Sequence, residues 1–170
     1  MSATGTRILG IDTSLRCSGL GVVEAHGGSV MRAVQFGCLR TKPAWLHSAC
    51  LLHIAEGIRK IISETAPDGV AIEGAFFCKN IKTAMVLGEA RGVAIAVCAE
   101  SGLPVFEYAP RRVKQAVTGV GGAEKQQVMK MVMRLLGIDT DIQQDASDAL
   151  ALAICHLQSA RGLAGRQEPI

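Results

Sequence analysis

Four acids in this chain stand where chemistry could use them. Asp12 closes the apolar run "ILGI", and Glu73 closes the apolar run "VAI". A carboxylate at the end of a buried strand is costly unless a cation, a donor or a substrate meets it. Asp145 and Asp148 lie three residues apart in "QQDASDALALA", a spacing that puts both on one face of a helix. They also fall at the start of that helix, where its dipole favours negative charge.

Each acid alone has an ordinary structural explanation. Asp145 suits an N-cap, Asp148 a first-turn acid, and Glu73 a partner for a lysine. Together, four converging acids would repel one another unless cations sat between them. Hard divalent ions take oxygen ligands, and Mg²⁺ is typically held by a few carboxylates plus substrate phosphate. Two such ions about 3.5–4 Å apart suit in-line displacement at a phosphodiester. The other ligand types are dispersed. Cys17, Cys38, Cys50, Cys78, Cys98 and Cys155 contain no Cys-x-x-Cys pair, which argues against a zinc or iron centre. They are expected as small buried hydrophobes. His47 and His53 are expected on a helix, without a catalytic role.

The elements that must position these acids follow from periodicity. Residues 7–12, 18–25 and 30–40 read as three strands, with "HGG" at 26–28 as a turn, so the chain opens as an antiparallel meander. Leu46, Cys50, Ile54, Ile58 and Ile61 recur at helical spacing and place a helix over 44–65, with Pro67 beyond its end. "GVAIE" at 69–73 is a fourth strand, 80–100 a long helix, and "PVFEY" at 104–108 a fifth strand. Pro110 starts a short helix at 110–118. Further helices are expected at 123–137 and about 145–160. Strand–helix–strand order implies right-handed parallel crossovers. If strands one and four are neighbours, Asp12 and Glu73 emerge at the same sheet edge, where ligands of such sheets bind.

The 170 residues suit one domain, expected to span 1–160 with a flexible tail at 161–170. Apolar residues make up 49% and charged residues 19%, which excludes a disordered chain. No apolar run approaches the ~18 residues of a membrane span, and no secretory leader is visible, so a cytoplasmic protein is expected. The net charge is +3 and the isoelectric point about 8.6, mildly basic. Lys79, Lys82, Arg91, Arg111, Arg112, Lys114, Lys125 and Lys130 crowd the middle and later chain. Charge alone favours solvated helix faces there over a nucleic-acid surface.

The combination "ILGID", "AIEGAFFCKN", "LGEARGVAIAV", "LPVFEYAPRRVKQAVTGVGGAEKQQV" and "DASDALALAICH" resembles the RuvC-type Holliday junction resolvases of bacteria, over about residues 7–157. The resemblance implies an α/β, ribonuclease-H-like fold with a five-stranded mixed sheet flanked by helices. It implies a homodimer that nicks a four-way DNA junction symmetrically, leaving 5′-phosphate and 3′-hydroxyl ends. It further implies Mg²⁺, or Mn²⁺ in its place, and partnership with the RuvA and RuvB branch-migration proteins. Carried over by motif, the family's four metal-binding acids fall on Asp12, Glu73, Asp145 and Asp148, with two ions between them. Its lysines near the scissile phosphate fall on Lys114 and Lys125, and its junction-stacking aromatic on Phe76. Lys79, Arg91, Arg111 and Arg112 complete the candidate DNA contacts. The family usually has Pro-Gly directly after the first acid. Thr13-Ser14 stand there instead, which leaves the acid in place and alters the turn.

Two other readings compete. "GIDTS…GLGVV" also resembles the phosphate loop of sugar-kinase and actin-like ATPases, but the chain is short for that class and carries no second Gly-rich phosphate loop. A non-catalytic junction-binding module is the other; the presence of all four acids speaks against it.

Overall fold

The computed structural model describes residues 5–27, 30–74, 80–160 and 167–170. Three strands come first: β1 (Thr6–Asp12), β2 (Cys17–His26) and β3 (Val30–Arg40). Then follow α1 (His47–Thr65), β4 (Gly69–Glu73), α2 (Ile81–Glu100) and β5 (Val105–Tyr108). The chain closes with α3 (Pro110–Thr118), α4 (Lys125–Leu136) and α5 (Gln144–Ser159). Every expected element is present, with ends moved by at most three residues.

The strands form one sheet in the order β3-β2-β1-β4-β5. β1, β2 and β3 pair antiparallel, while β1 with β4 and β4 with β5 pair parallel. This is the mixed sheet expected from the change of period after residue 40. A parallel neighbour needs a crossover, and α1 and α2 supply the two.

Alternation along β1 divides the core. Leu9 and Ile11 point to the layer of α1 and α2, with Ile54, Ile58 and Ala94. Ile8 points to the opposite layer, where Leu150, Ile154 and Val132 bring in α5 and α4. On that second face α5 lies close against the sheet. A Cβ built on Gly10 would fall 1.8 Å from the Ala149 carbonyl oxygen, and one on Gly19 would fall 1.8 Å from the Asp145 carbonyl oxygen. Only glycine at these two points lets the helix backbone approach so near.

Local signals set several helix ends. Asn80 caps α2 by accepting from the Thr83 amide at 3.1 Å. Glu124 and Gln127 form a reciprocal capping box at the start of α4. Gly119 and Gly137 end α3 and α4 in the left-handed conformation, which glycine adopts without a Cβ penalty. Of the tail, residues 167–170 lie beside β5, where Ile170 donates its amide to the Val105 carbonyl at 2.9 Å. Arg112 also reaches Gln167 at 3.2 Å. Residues 161–166 lie outside the described residues.

Candidate active site

Register places the first two acids. Ile11 of β1 faces Ile72 of β4 in the parallel pair, so Asp12 and Glu73 leave the sheet side by side at its carboxyl edge. α5 adds Asp148, and the start of α4 adds Lys125. Asp12, Glu73, Asp148, Lys125 and Lys114 line one open cleft of about 230 Å³. Lys125 Nζ lies 3.2 Å from Asp148 Oδ2. Gln144, one helical turn earlier, donates to the other Asp148 oxygen at 2.9 Å.

Lys125 is the first residue of α4, where the helix dipole disfavours a cation. Its ammonium is offset by the acids it faces. Asp148 first, then Asp12 and Glu73, hold its pKa above the ordinary lysine value.

Two carboxylates, Glu24 buried and Asp12 half-buried, show what the cleft lacks. Glu24, near the far end of β2, meets Arg7 at 2.8 Å, His26 at 2.8 Å and Arg32 at 2.5 Å. Bonds to Arg7 and His26 bring its carboxyl down to about 2. Among the described residues, the cation that bears on Asp12 is Lys125, which is paired with Asp148. Burial, then the charges of Glu73, Asp148 and Asp145, push its carboxyl up to about 7. Burial and Asp148 likewise raise Glu73. A buried acid met by several cations is architecture; Asp12 and Glu73, crowded by Asp148 and weakly offset by Lys125, form a site poised for added positive charge. The all-oxygen donor set of Asp12, Glu73 and Asp148 fits a hard divalent ion.

Asp145 behaves differently from its neighbour on the helix. It is not an N-cap: that position is Gln143, which makes no side-chain cap bond. Asp145 instead lies with Cys17 and Cys38, and the three ligand atoms fall within 4.8 Å of one another. Its charge still raises Asp12, so it borders the cleft without lining it. Asp148 sits in the second turn of α5 rather than the first.

The cysteines correct an expectation in part. Cys50, Cys98 and Cys155 are buried, as small hydrophobes should be, but Cys17 and Cys38 are half-exposed. Dispersion along the chain hid their meeting, which the β2–β3 hairpin creates. Cys78 lies outside the described residues. His47 pairs with Glu89 at 2.5 Å across α1 and α2, and His53 packs edge-on to Trp45.

The candidate DNA contacts separate. Lys114 and Lys125 reach the cleft. Arg91 is turned inward: it pairs with Glu107 and donates to the Glu73 carbonyl at 3.4 Å. Arg112 stacks over the Tyr108 ring at 5.4 Å and donates to Ser159 at 3.3 Å. Arg111 is exposed, its stem against Gly121. Phe76 and Lys79 lie outside the described residues.

The turn after Asp12 is tied down. Ser14 donates its amide to Ser18 Oγ at 3.1 Å, and Ser18 Oγ returns a bond to the Ser14 carbonyl at 2.6 Å. Thr41 donates to the Leu15 carbonyl at 3.0 Å. Thr13-Ser14 thus sit in an ordered turn anchored to β2 and to the end of β3.

A mixed sheet in this order, with acids at the carboxyl edge of β1 and β4 and on the helix that crosses them, defines the ribonuclease-H-like class. Within that class the chain belongs to the crossover junction endodeoxyribonuclease RuvC family, whose model matches residues 8–156. It is 41% identical to the RuvC of Caldicellulosiruptor saccharolyticus over 96% of this chain and 99% of that one. It is 48% identical to the RuvC of Trichlorobacter lovleyi over 90% of this chain and 85% of that one. The structure of T. thermophilus RuvC in complex with Holliday junction substrate superposes with a TM-score of 0.90 at 31% identity, covering 97% and 99% of the two chains. The yeast mitochondrial Holliday junction resolvase Ydc2, at 10% identity and a TM-score of 0.63, shares the fold.

Proposed function

We propose that this chain is a structure-selective endonuclease that resolves four-way DNA junctions in recombination and repair, acting in the cytoplasm through its 1–160 domain. Supporting the substrate is the relative solved on a Holliday junction. The observation that carries the chemistry is Asp12, half-buried beside Glu73 and Asp148 with its carboxyl pushed up to about 7.

In this reading Asp12, Glu73, Asp145 and Asp148 would hold two Mg²⁺ ions, with Mn²⁺ able to substitute. Ions held there would supply Lewis-acid activation for in-line attack on a phosphodiester. The protein's part is positioning. β1 and β4 present their acids at adjacent register positions, and α5 sets Asp148 against them. Lys125 and Lys114 face the phosphate, where cationic donors ease the charge that builds as the bond breaks. Phe76 and Lys79 belong to the segment after Glu73 that would meet the junction, and Arg111 to its rim. Products carry 5′-phosphate and 3′-hydroxyl ends.

The unit is a homodimer, which makes two nicks symmetric. Leu46 and Leu52 stand 77% and 56% exposed, and Ile81 and Met85 79% and 62%. The His47–Glu89 pair brings these stretches of α1 and α2 together, an apolar surface suited to a second copy. RuvA and RuvB complete the proposed partnership. No described helix is long and apolar enough to cross a membrane.

The test incubates the protein with a labelled four-way junction, a linear duplex and ATP in turn. Paired Mg²⁺-dependent nicks confined to the junction are expected. Junction binding in EDTA with no nicks in Mg²⁺ would leave a binding module. ATP turnover independent of DNA would overturn the reading.

A further inference from the structure

Cys17 and Cys38 stand on neighbouring strands. Cys17 opposes Arg40 and Cys38 opposes Gly19, so the two thiols are diagonal across the β2–β3 ladder. Diagonal neighbours have Cα atoms roughly 7–8 Å apart, at or beyond the ~7 Å limit for a disulfide. A bridging ion has no such limit. The two sulfurs and an Asp145 oxygen already lie within 4.8 Å of one another. Tetrahedral Zn²⁺, with bonds of about 2.3 Å to sulfur and 2.0–2.2 Å to oxygen, needs separations near ~3.7 Å. Side-chain rotation covers that difference. All three residues are half-buried, which leaves room for a water as fourth ligand.

We propose that Cys17, Cys38 and Asp145 form a second metal site, selective for a soft divalent ion such as Zn²⁺, that restrains the nuclease by holding Asp145. The donor set decides the ion. Thiolates select Zn²⁺ and reject Mg²⁺, whereas the oxygen-only cleft does the reverse. The two thiols lie beside the first turn of α5, which carries Asp145, and a helix N-terminus favours negative ligands. Coordination replaces both S–H bonds with S–Zn bonds and releases both protons to solvent, since a coordinating thiol is deprotonated outright. No electron changes hands. Asp145 stands one helical turn before Asp148 on α5, at the border of the cleft, so fixing it on Zn²⁺ withdraws its carboxylate from the nuclease site next door.

The binding part stands apart from the nuclease reading; the restraint rests on it. Reduced full-length protein is titrated with Co²⁺ alone, without DNA. A thiolate-to-cobalt charge-transfer absorption is expected, bleached by Zn²⁺, present in C78S and lost in both C17S and C38S. Thermal melts confirm that each variant is folded, and D145N, which keeps both thiols, is expected to weaken binding at least tenfold. Absence of the band, or its persistence in C17S and C38S, overturns the site. Nicking in excess Mg²⁺ is then followed with added Zn²⁺. Slowing in the wild type and not in C38S is expected; equal slowing in both overturns the restraint alone. A wild type that never nicks in Mg²⁺ defeats the nuclease reading and leaves the site standing.

Discussion

A Cβ on Gly19 of β2 would meet the Asp145 carbonyl oxygen at 1.8 Å, so the start of α5 rests directly on the sheet backbone. Gly19→Ala must push α5 outward, because backbone rather than a flexible side chain opposes it. Overpacking of this kind costs about 1–3 kcal/mol. Urea unfolding should show that loss, and junction nicking should fall further than stability does, since Asp145 and Asp148 both ride on the displaced turns. An unchanged urea midpoint would refute the contact.

Asp12 sets a pH dependence. Its carboxyl, raised to about 7, keeps a proton in the folded protein that the unfolded chain gives up above its ordinary value near ~3.9. The stability this contributes is complete below about pH 4 and is lost as pH rises through about 7. Chelator-treated protein should therefore melt progressively lower from pH 5 to pH 8. Asp12→Asn should flatten that trend, raise the melting temperature at pH 8 and abolish nicking while keeping junction binding. A variant that melts lower than wild type at pH 8 would remove the assignment.

Lys125 is 69% exposed on its side chain, and exposed pairs contribute about 0–1 kcal/mol. Lys125→Gln should leave the urea midpoint nearly unchanged. Nicking should drop about a hundredfold, the scale for one lost charge-stabilising donor. Wild-type rates would exclude Lys125 from the chemistry.

Arg91 separates positioning from DNA contact. It clamps the Glu73 carbonyl against Glu107. Arg91→Ala should lower nicking about 10–100-fold, as losses behind a ligand do, with an unchanged salt slope of junction binding. Lys114→Ala is expected to reduce that slope. A reduced slope for Arg91→Ala would return it to the DNA surface.

Much of this fold is written in local pattern. The acids ending "ILGID" and "VAIE" need only strand period to be placed at strand ends, and the change of period after residue 40 announces the parallel half of the sheet. Pro110, Gly119 and Gly137 mark helix boundaries by their own backbone preferences. The neighbourhood of Asp12 and Glu73 follows once β1 and β4 pair in parallel.

Side-chain partners at a distance were decided elsewhere. Spacing put Asp145 and Asp148 on one helix face, yet the first meets Cys17 and Cys38 and the second meets Lys125. That split depends on how α5 is rotated and how near it comes, which Gly10 and Gly19 permit from strands far away in the chain. Cys17 and Cys38, 21 positions apart in number, meet only through the hairpin register. Arg91 looked like one more surface cation until Glu107, on β5, turned it inward. Periodicity is local and legible in the sequence; the register and depth of contact between elements are collective, and only the packed structure sets them.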